Sequence, residues 1–411
     1  MLRIESGCCK SVLFFHFLTI IILLFIIIAC ECESGMESRQ VTSIDPADGT
    51  VYTPRMVWNG TNFGIVYLLW NQSLYKGDIH ILQTDTSGNF IRSVAPEGAN
   101  IFTQLFSMMS DLVWNPDDHQ YAFAYFNKQL EGVYFQRLGA NLEQIYPPVR
   151  IEYPECPHDV DPMFYMEELS LLWNTARREY GLSYIMSCAG CHGKAKQDHP
   201  RNDIYFQRIL ADGTLLDGSR GRHIGFSAPY TCFRSAMSFN SKNGKYAISY
   251  FKDDDSSPDL MVCFLGRTMQ PEEYKVSPGQ TYNGTSNIRI CYDYRMKDFF
   301  VVSNLSPGFR GWVIKEDGTI VGNSSKNFTE QFSTEFSIAN YLGGHVYLIS
   351  ASDRFQIHCW LATQSYQAEA DLMHTPGNSV HRMWPSLSIV DDMHPYVSWV
   401  ENNQIFLGPV E

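Results

Sequence analysis

Leu171-Leu172-Trp173-Asn174 opens the stretch that decides the fold. A few polar residues on, a second apolar run covers 180–186. After a long loop comes a third, Asp203-Ile204-Tyr205-Phe206-Gln207-Arg208-Ile209-Leu210. The turn Ala211-Asp212-Gly213-Thr214 then leads into a short run at 222–224. Short apolar and aromatic runs bounded by turn residues read as β-strands, and four in a row read as one antiparallel unit.

The same order recurs along the chain. Met56-Val57-Trp58-Asn59, Leu112-Val113-Trp114-Asn115 and Met237-Ser238-Phe239-Asn240 repeat the opening. Second strands follow at 63–70, 121–126 and 246–251, and third strands at 78–83, 132–138 and 259–265. Val133-Tyr134-Phe135-Gln136-Arg137 is nearly a copy of residues 204–208. Weaker units cover 288–315, 336–361 and 386–407. The anchors Trp58, Trp114, Trp173, Phe239, Cys291, Ile338 and Ile389 recur every 47–66 residues, the period of a propeller blade.

The expected fold is therefore all-β, a seven-bladed β-propeller, with six or eight blades as the alternative counts. The seventh unit ends without a fourth strand, and a strand-like run at 40–44 has no partner. Ring closure answers both, with 40–44 as the outer strand of the last blade, and it leaves no open edge. The domain layout is an export segment at 1–29, a tether at 30–38 and a propeller at 39–411. The repeats resemble generic propeller blades of exported, lipoprotein-like proteins over essentially the whole mature chain. They lack the Ser-x-Asp-x-Gly-x-x-Trp box of sialidase-type blades and the Trp-Asp dipeptide pattern of WD40 blades. The resemblance implies a fold, and a fold does not give a function.

Composition agrees. Aromatic residues make up 14% of the 411 residues and charged residues 18%. The formal net charge of −13 argues against nucleic acid as a partner, because phosphate binding needs a positive surface. Arg3 and Lys10 precede an apolar run over 12–28, the pattern of an export signal or anchor. Ile27-Ile28-Ala29-Cys30 resembles a bacterial lipoprotein box, which makes Cys30 a lipidation candidate and a route to the membrane. Cleavage near Ala29 without acylation is the alternative. The expected location is the exterior, either lipid-anchored at the cell surface or in the periplasm, or secreted. Sequons at Asn59, Asn71, Asn283, Asn304, Asn323 and Asn327 would carry glycans only in a eukaryotic secretory route.

Cys156, Cys188, Cys191 and Cys232 are assigned by the blade layout to one face. Cys156 and Cys232 fall in blade-to-blade connections, and Cys188 and Cys191 in the long second-to-third loop of blade three. In an oxidising compartment these are disulfide candidates that pin the loop, with Cys188 and Cys191 tied to Cys156 and Cys232. Two other chemistries fit the same residues. Cys188-Ala189-Gly190-Cys191-His192 matches C-x-x-C-H and resembles the haem c attachment of cytochromes, with His192 as axial ligand and His199 or a Met opposite. The cysteines with His158, His192 and His199 offer a zinc set. Asp253, Asp254, Asp255 and Asp259 offer oxygen ligands for calcium.

No nucleophile elbow, Walker loop or zincin pattern occurs. Asp159, Asp161, Glu167 and Glu168 are the carboxylates that an acid/base pair of a carbohydrate-active hydrolase would use. The expected function is a binding or interaction scaffold for a protein or glycan ligand, with no cofactor. A haem redox protein and a hydrolase are the alternatives.

Overall fold

The computed structural model describes residues 38–410 apart from 43–47, 102–108, 128–131, 153–163, 189–200, 225–230, 254–257, 278–286, 305–308, 322–325, 328–335, 342–345, 353–355, 364–367, 375–380 and 392–393. The strands form seven antiparallel sheets. Blade one is Thr50–Trp58, Phe63–Asn71, Lys76–Thr84 and Phe90–Val94, with Asn100–Ile101 added beside its third strand. Blade two is Val113–Asn115, Gln120–Asn127, Gly132–Gly139 and Val149–Ile151. Blade three is Phe164–Asn174, Glu179–Cys188, Arg201–Leu210 and Arg222–His223. Blade four is Thr231–Phe239, Tyr246–Asp253, Asp259–Leu265 and Pro271–Ser277.

Blade five is Ile288–Asp293, Asp298–Asn304, Phe309–Lys315 and Lys326–Asn327. Blade six is Phe336–Tyr341, Val346–Ser352, Ile357–Thr363 and Ala368–His374. Blade seven takes Arg382–Val390, His394–Glu401 and Gln404–Pro409 from the end of the chain and Arg39–Gln40 from its beginning. The first strands touch in an unbroken circle from blade one to blade seven and back. This is a seven-bladed β-propeller.

Closure runs through the N-terminal segment, with the strand at Arg39–Gln40 rather than 40–44; residues 43 and 44 lie outside the described residues. Arg39 and Gln40 face Leu407 and Phe406. The Val41 amide donates to the Ile405 carbonyl at 2.8 Å, and the Ile405 amide donates to the Thr42 hydroxyl at 2.8 Å. Val41 is buried in one cluster with Val51, Ile405 and Leu407, so blade seven is sealed against blade one by apolar packing as well.

The aromatic–Asn repeat has a physical role in blades one to four. The asparagine ends the first strand, and its Oδ1 accepts amides of the turn that follows: Asn62 on Asn59 at 2.7 Å, Asp117 on Asn115 at 3.0 Å, Lys242 on Asn240 at 2.7 Å. Asp293 does the same in blade five for Arg295, at 2.8 Å. Such Asx turns are what Asn and Asp do better than other residues. The aromatic before it packs on the aromatic that opens the second strand, with ring centroids 4.8 Å apart for Trp114 and Tyr121 and 4.7 Å for Trp173 and Tyr180.

Those second-strand tyrosines also reach across to the preceding blade. Asn59 Nδ2 donates to the Tyr121 hydroxyl at 2.7 Å; the Tyr246 hydroxyl donates to Glu179 at 3.0 Å and that of Tyr347 to Asp293 at 3.2 Å. A repeat read as core packing plus a turn therefore also clasps neighbouring blades. At Asn59, the sequon amide is already engaged by this clasp.

The near-identical pentapeptides end in arginines with different partners. Arg137 sends its guanidinium to the Ala211 and Asp212 carbonyls of blade three, the latter at 2.7 Å. Arg208 instead grips Asp217 with Nε at 3.0 Å and Nη2 at 2.9 Å, and Arg222 joins from the other side. Burial alone would raise the Asp217 carboxyl, but the hydrogen bonds from Arg208 and Arg222 outweigh it and hold it below its ordinary value. The carboxyl is depressed in the fold, so this cluster adds stability above the pH where an unfolded aspartate titrates. That stability is lost as pH falls through the folded value. Asp217→Asn is expected to flatten the acid limb of the stability profile, which unfolding midpoints measured from pH 7 downward would show.

Candidate functional site

The innermost strands do not close on one another at the axis. They leave a cavity of about 530 Å³ to which every blade contributes. Its wall lies in the leading and middle parts of the first strands and, in blade two, just before the strand: Arg55 of blade one, Asp111 ahead of Val113–Asn115, Glu168 of blade three, Arg234 of blade four, Arg289 of blade five, Ser337 of blade six and Ser386 of blade seven. This is the end of the ring reached by the blade-to-blade connections and the second-to-third loops.

Bulges shape the wall. The register between first and second strands slips between Tyr52 and Arg55, Met166 and Leu169, Phe233 and Ser235, and Met383 and Ser386. Thr53, Arg234 and Trp384 take positive φ there, at 46°, 52° and 55°. A bulge takes an amide out of the ladder, and that donor needs a new acceptor. At three of the four slips the preceding blade supplies an acceptor to an amide at or just after the slip. The Met56 amide donates to Ser386 Oγ at 3.0 Å, Leu387 to Ser337 Oγ at 3.3 Å, and Ser235 to Glu168 Oε2 at 2.8 Å.

Charge is concentrated in this wall. Arg55 Nε meets Asp111 at 3.1 Å. Arg289 Nη1 donates to Asn287 Oδ1 at 2.9 Å and to the Ile288 carbonyl at 2.8 Å, and lies 3.9 Å from Glu168 Oε1. The guanidinium carbon of Arg289 sits 5.8 Å from the centre of the Phe336 ring, within cation–π range. Glu168 is the only carboxylate of the expected acid/base set whose side chain is described. It serves as an acceptor for the bulge amide of Ser235 and a neighbour of Arg289. Asp159 and Asp161 lie outside the described residues, and only the backbone of Glu167 is described.

The cysteine cluster is reached only in part. Cys156, Cys191, His192, His158 and His199 lie outside the described residues, as do Asp254, Asp255 and Cys30. Cys188 ends the second strand of blade three, in register with Arg201 and Phe164. Cys232 differs from expectation. It is in the first strand of blade four, opposite Lys252, rather than in the connection before it. The bulge at Arg234 breaks the alternation of that strand and hides its leading end from a sequence reading.

Cys232 is a free thiol only 1% exposed. Burial, with Asp203 and Glu273 adding to it, pushes that thiol up to about 12. Iodoacetamide is expected to leave Cys232 unmodified in the folded protein and to alkylate it after denaturation; a peptide linked from Cys232 to Cys188 or Cys191 would overturn this. Cys263, Cys291 and Cys359 are free thiols within strands. Asp259 pairs with Lys275 at 2.6 Å. Among the described residues, no group of three His, Cys, Asp or Glu side chains is placed to hold a metal.

Arg55, Asp111, Arg234 and Arg289 were not singled out by sequence. The signal was present: a charge interrupts an otherwise apolar first strand in Arg55-Met56-Val57-Trp58 and in Ile288-Arg289-Ile290.

The ring and its polar axis define the chain as a β-propeller with a charged central cavity. Among solved structures it is similar to the β-propeller domain of Cps50 (Swd1) from Myceliophteria thermophila, at 9% identity and a TM-score of 0.50, over 90% of this chain and 98% of that one. It is also similar to the Dos1 propeller, at 9% identity and a TM-score of 0.51, over 92% of this chain and 95% of that one. At such identities the likeness is one of fold alone. No protein-family model and no curated protein sequence matches the chain.

Proposed function

We propose that this protein is an exported binding scaffold that takes a protein or glycan ligand over the end of the ring bearing the blade-to-blade connections. The observation that carries this reading is the axial cavity. An axis built only for stability would be filled by apolar side chains, whereas this one holds guanidiniums, carboxylates and hydroxyls from all seven blades around open volume. Cys188 and Arg201, the strand ends that flank residues 189–200, pair with each other at the same end, opposite the start of the first strand of blade three.

Export rests on the N-terminal apolar run and on Cys30, either acylated as a tether or trimmed with the leader. Intact-mass measurement of the mature chain tests it, with loss of residues 1–29 as the expected result. A glycan array and cross-linking at the native surface test the scaffold. Retention of a defined ligand without chemical change to it is the expected outcome. Release of shortened glycans would replace the scaffold with a hydrolase.

A further inference from the structure

We propose that the axial cavity is a binding site for a small sugar acid, whose carboxylate is clamped by the Nε/Nη2 edge of Arg289. The inference rests on the binding-scaffold reading and names the chemistry of its ligand.

Charge comes first. The wall holds three guanidiniums, Arg55, Arg234 and Arg289, against two carboxylates, Asp111 and Glu168. That is a positive centre inside a chain whose formal net charge is −13. Solvent at physiological salt screens the outer charge beyond about 8 Å, so a ligand in the cavity responds mainly to the wall.

Arg289 supplies the geometry. All of its acceptors among the described residues meet one nitrogen, Nη1: Asn287 Oδ1, the Ile288 carbonyl and, at longer range, Glu168. With Phe336 against its face, the group is held in place. The Nε and Nη2 hydrogens form the parallel pair that matches the two oxygens of a carboxylate. Among the described residues no acceptor meets that pair. Because the side chain is 18% exposed and lines the cavity, the fork is open to a ligand rather than sealed in the wall. A clamp already held by its own strand loses little freedom on binding, which favours affinity.

The rest of the wall decides what the carboxylate is attached to. Ser337 and Ser386 each accept a backbone amide and so keep their own proton to donate. They alternate with apolar side chains such as Met56, Leu169 and Leu387. Hydroxyl donors set among apolar surface suit a polyol. An amino acid fits less well: Asp111 is taken by Arg55 and Glu168 by the Ser235 amide, so an ammonium would enter among guanidiniums. The volume of about 530 Å³ holds a sugar residue with room for water.

The test uses the full chain with glucuronate, galacturonate and N-acetylneuraminate as probes, in calorimetry and saturation-transfer NMR. Glucose and glucuronamide are the uncharged partners. At least one sugar acid is expected to bind saturably, with its uncharged counterpart weaker by about tenfold or more, the worth of one charge-assisted pair. Arg289→Gln and Arg289→Lys are expected to lose at least about tenfold, the lysine because it keeps the charge without the fork. Arg267→Gln, in an exposed turn, is expected to change nothing.

Three results would overturn the proposal: no saturable binding of any sugar acid, equal binding of glucuronate and glucuronamide, or inorganic phosphate or glutamate binding more tightly than every sugar acid. The comparison between ligands on the unaltered protein keeps the test decisive even if an Arg289 variant fails to fold. If an array glycan is retained equally by the unaltered and Arg289→Gln proteins, the scaffold reading stands and this site assignment falls. If sugar acids bind but no glycan or protein is retained, the site stands and the scaffold reading falls.

Discussion

Gly181→Val is expected to destabilise the protein by about 3 kcal/mol, within the range for overpacking a filled core plus the loss of one buried hydrogen bond. Gly181 follows the tyrosine that opens the second strand of blade three. A Cβ there would stand 2.5 Å from Cε1 of Tyr246 and 3.3 Å from Phe206. Tyr246 cannot retreat. Its ring lies 4.9 Å from that of Phe206, its hydroxyl holds Glu179, and Arg177 sits over its face.

Displacing Tyr246 would leave Glu179 buried without its hydroxyl donor. Burial already raises the Glu179 carboxyl against the opposing hydrogen bond from Tyr246. The loss leaves the carboxylate to Arg177, whose Nη1 lies 3.7 Å from Oε1, an ion pair without the close hydroxyl hydrogen bond. Gly266→Ala is the contrast, since nothing lies within 4 Å of a Cβ there, and it is expected to be neutral within about 0.5 kcal/mol. Thermal and denaturant unfolding of the two variants side by side checks the pair. Equal midpoints would show that the blade interface gives way easily at this position.

Deleting residues 1–43 is expected to destabilise the propeller by about 3–5 kcal/mol and to make it self-associate. The deletion removes the buried Val41, the pairing of Arg39 and Gln40 with blade seven, and the Thr42 hydroxyl that receives the Ile405 amide. Gln404–Pro409 would then become an open edge beside blade one. Unpaired amides and carbonyls on such an edge recruit other chains. Unfolding midpoints measure the first effect, and light scattering across a concentration series the second. A peptide spanning residues 38–43 should restore part of both. A monomeric deletion protein with an unchanged midpoint would show that the seven sheets hold the ring without the N-terminal strand.

These two expectations come from different levels of the molecule. The closing strand was readable in the sequence, because counting strands left one unit incomplete and one strand unclaimed. The clash at Gly181 was not, since a glycine after Tyr180 is unremarkable until blade four is placed against blade three. The aromatic–Asn repeat lies between the two. Its turn chemistry is local and visible, whereas the clasps from Tyr121 to Asn59 and Tyr347 to Asp293 join residues 62 and 54 positions apart.

The cavity was the least legible part. Arg289 between Ile288 and Ile290 reads as the outward face of an ordinary strand. Only when seven first strands are drawn into a circle does their shared edge become an axis. Bulges then turn Thr53, Arg234 and Trp384 out of the ladder and misplace any register counted from the sequence.

The sequence by itself determined the strand period, the turns and the need for closure, because strand propensity, Asx turns and unpaired edges are local demands that each segment states for itself, and the assembled sheets then fixed the count at seven. The tertiary structure alone decided which charges meet at the axis and which edge of Arg289 meets no acceptor among the described residues. Those depend on distances between residues separated by whole blades, and no local preference encodes them.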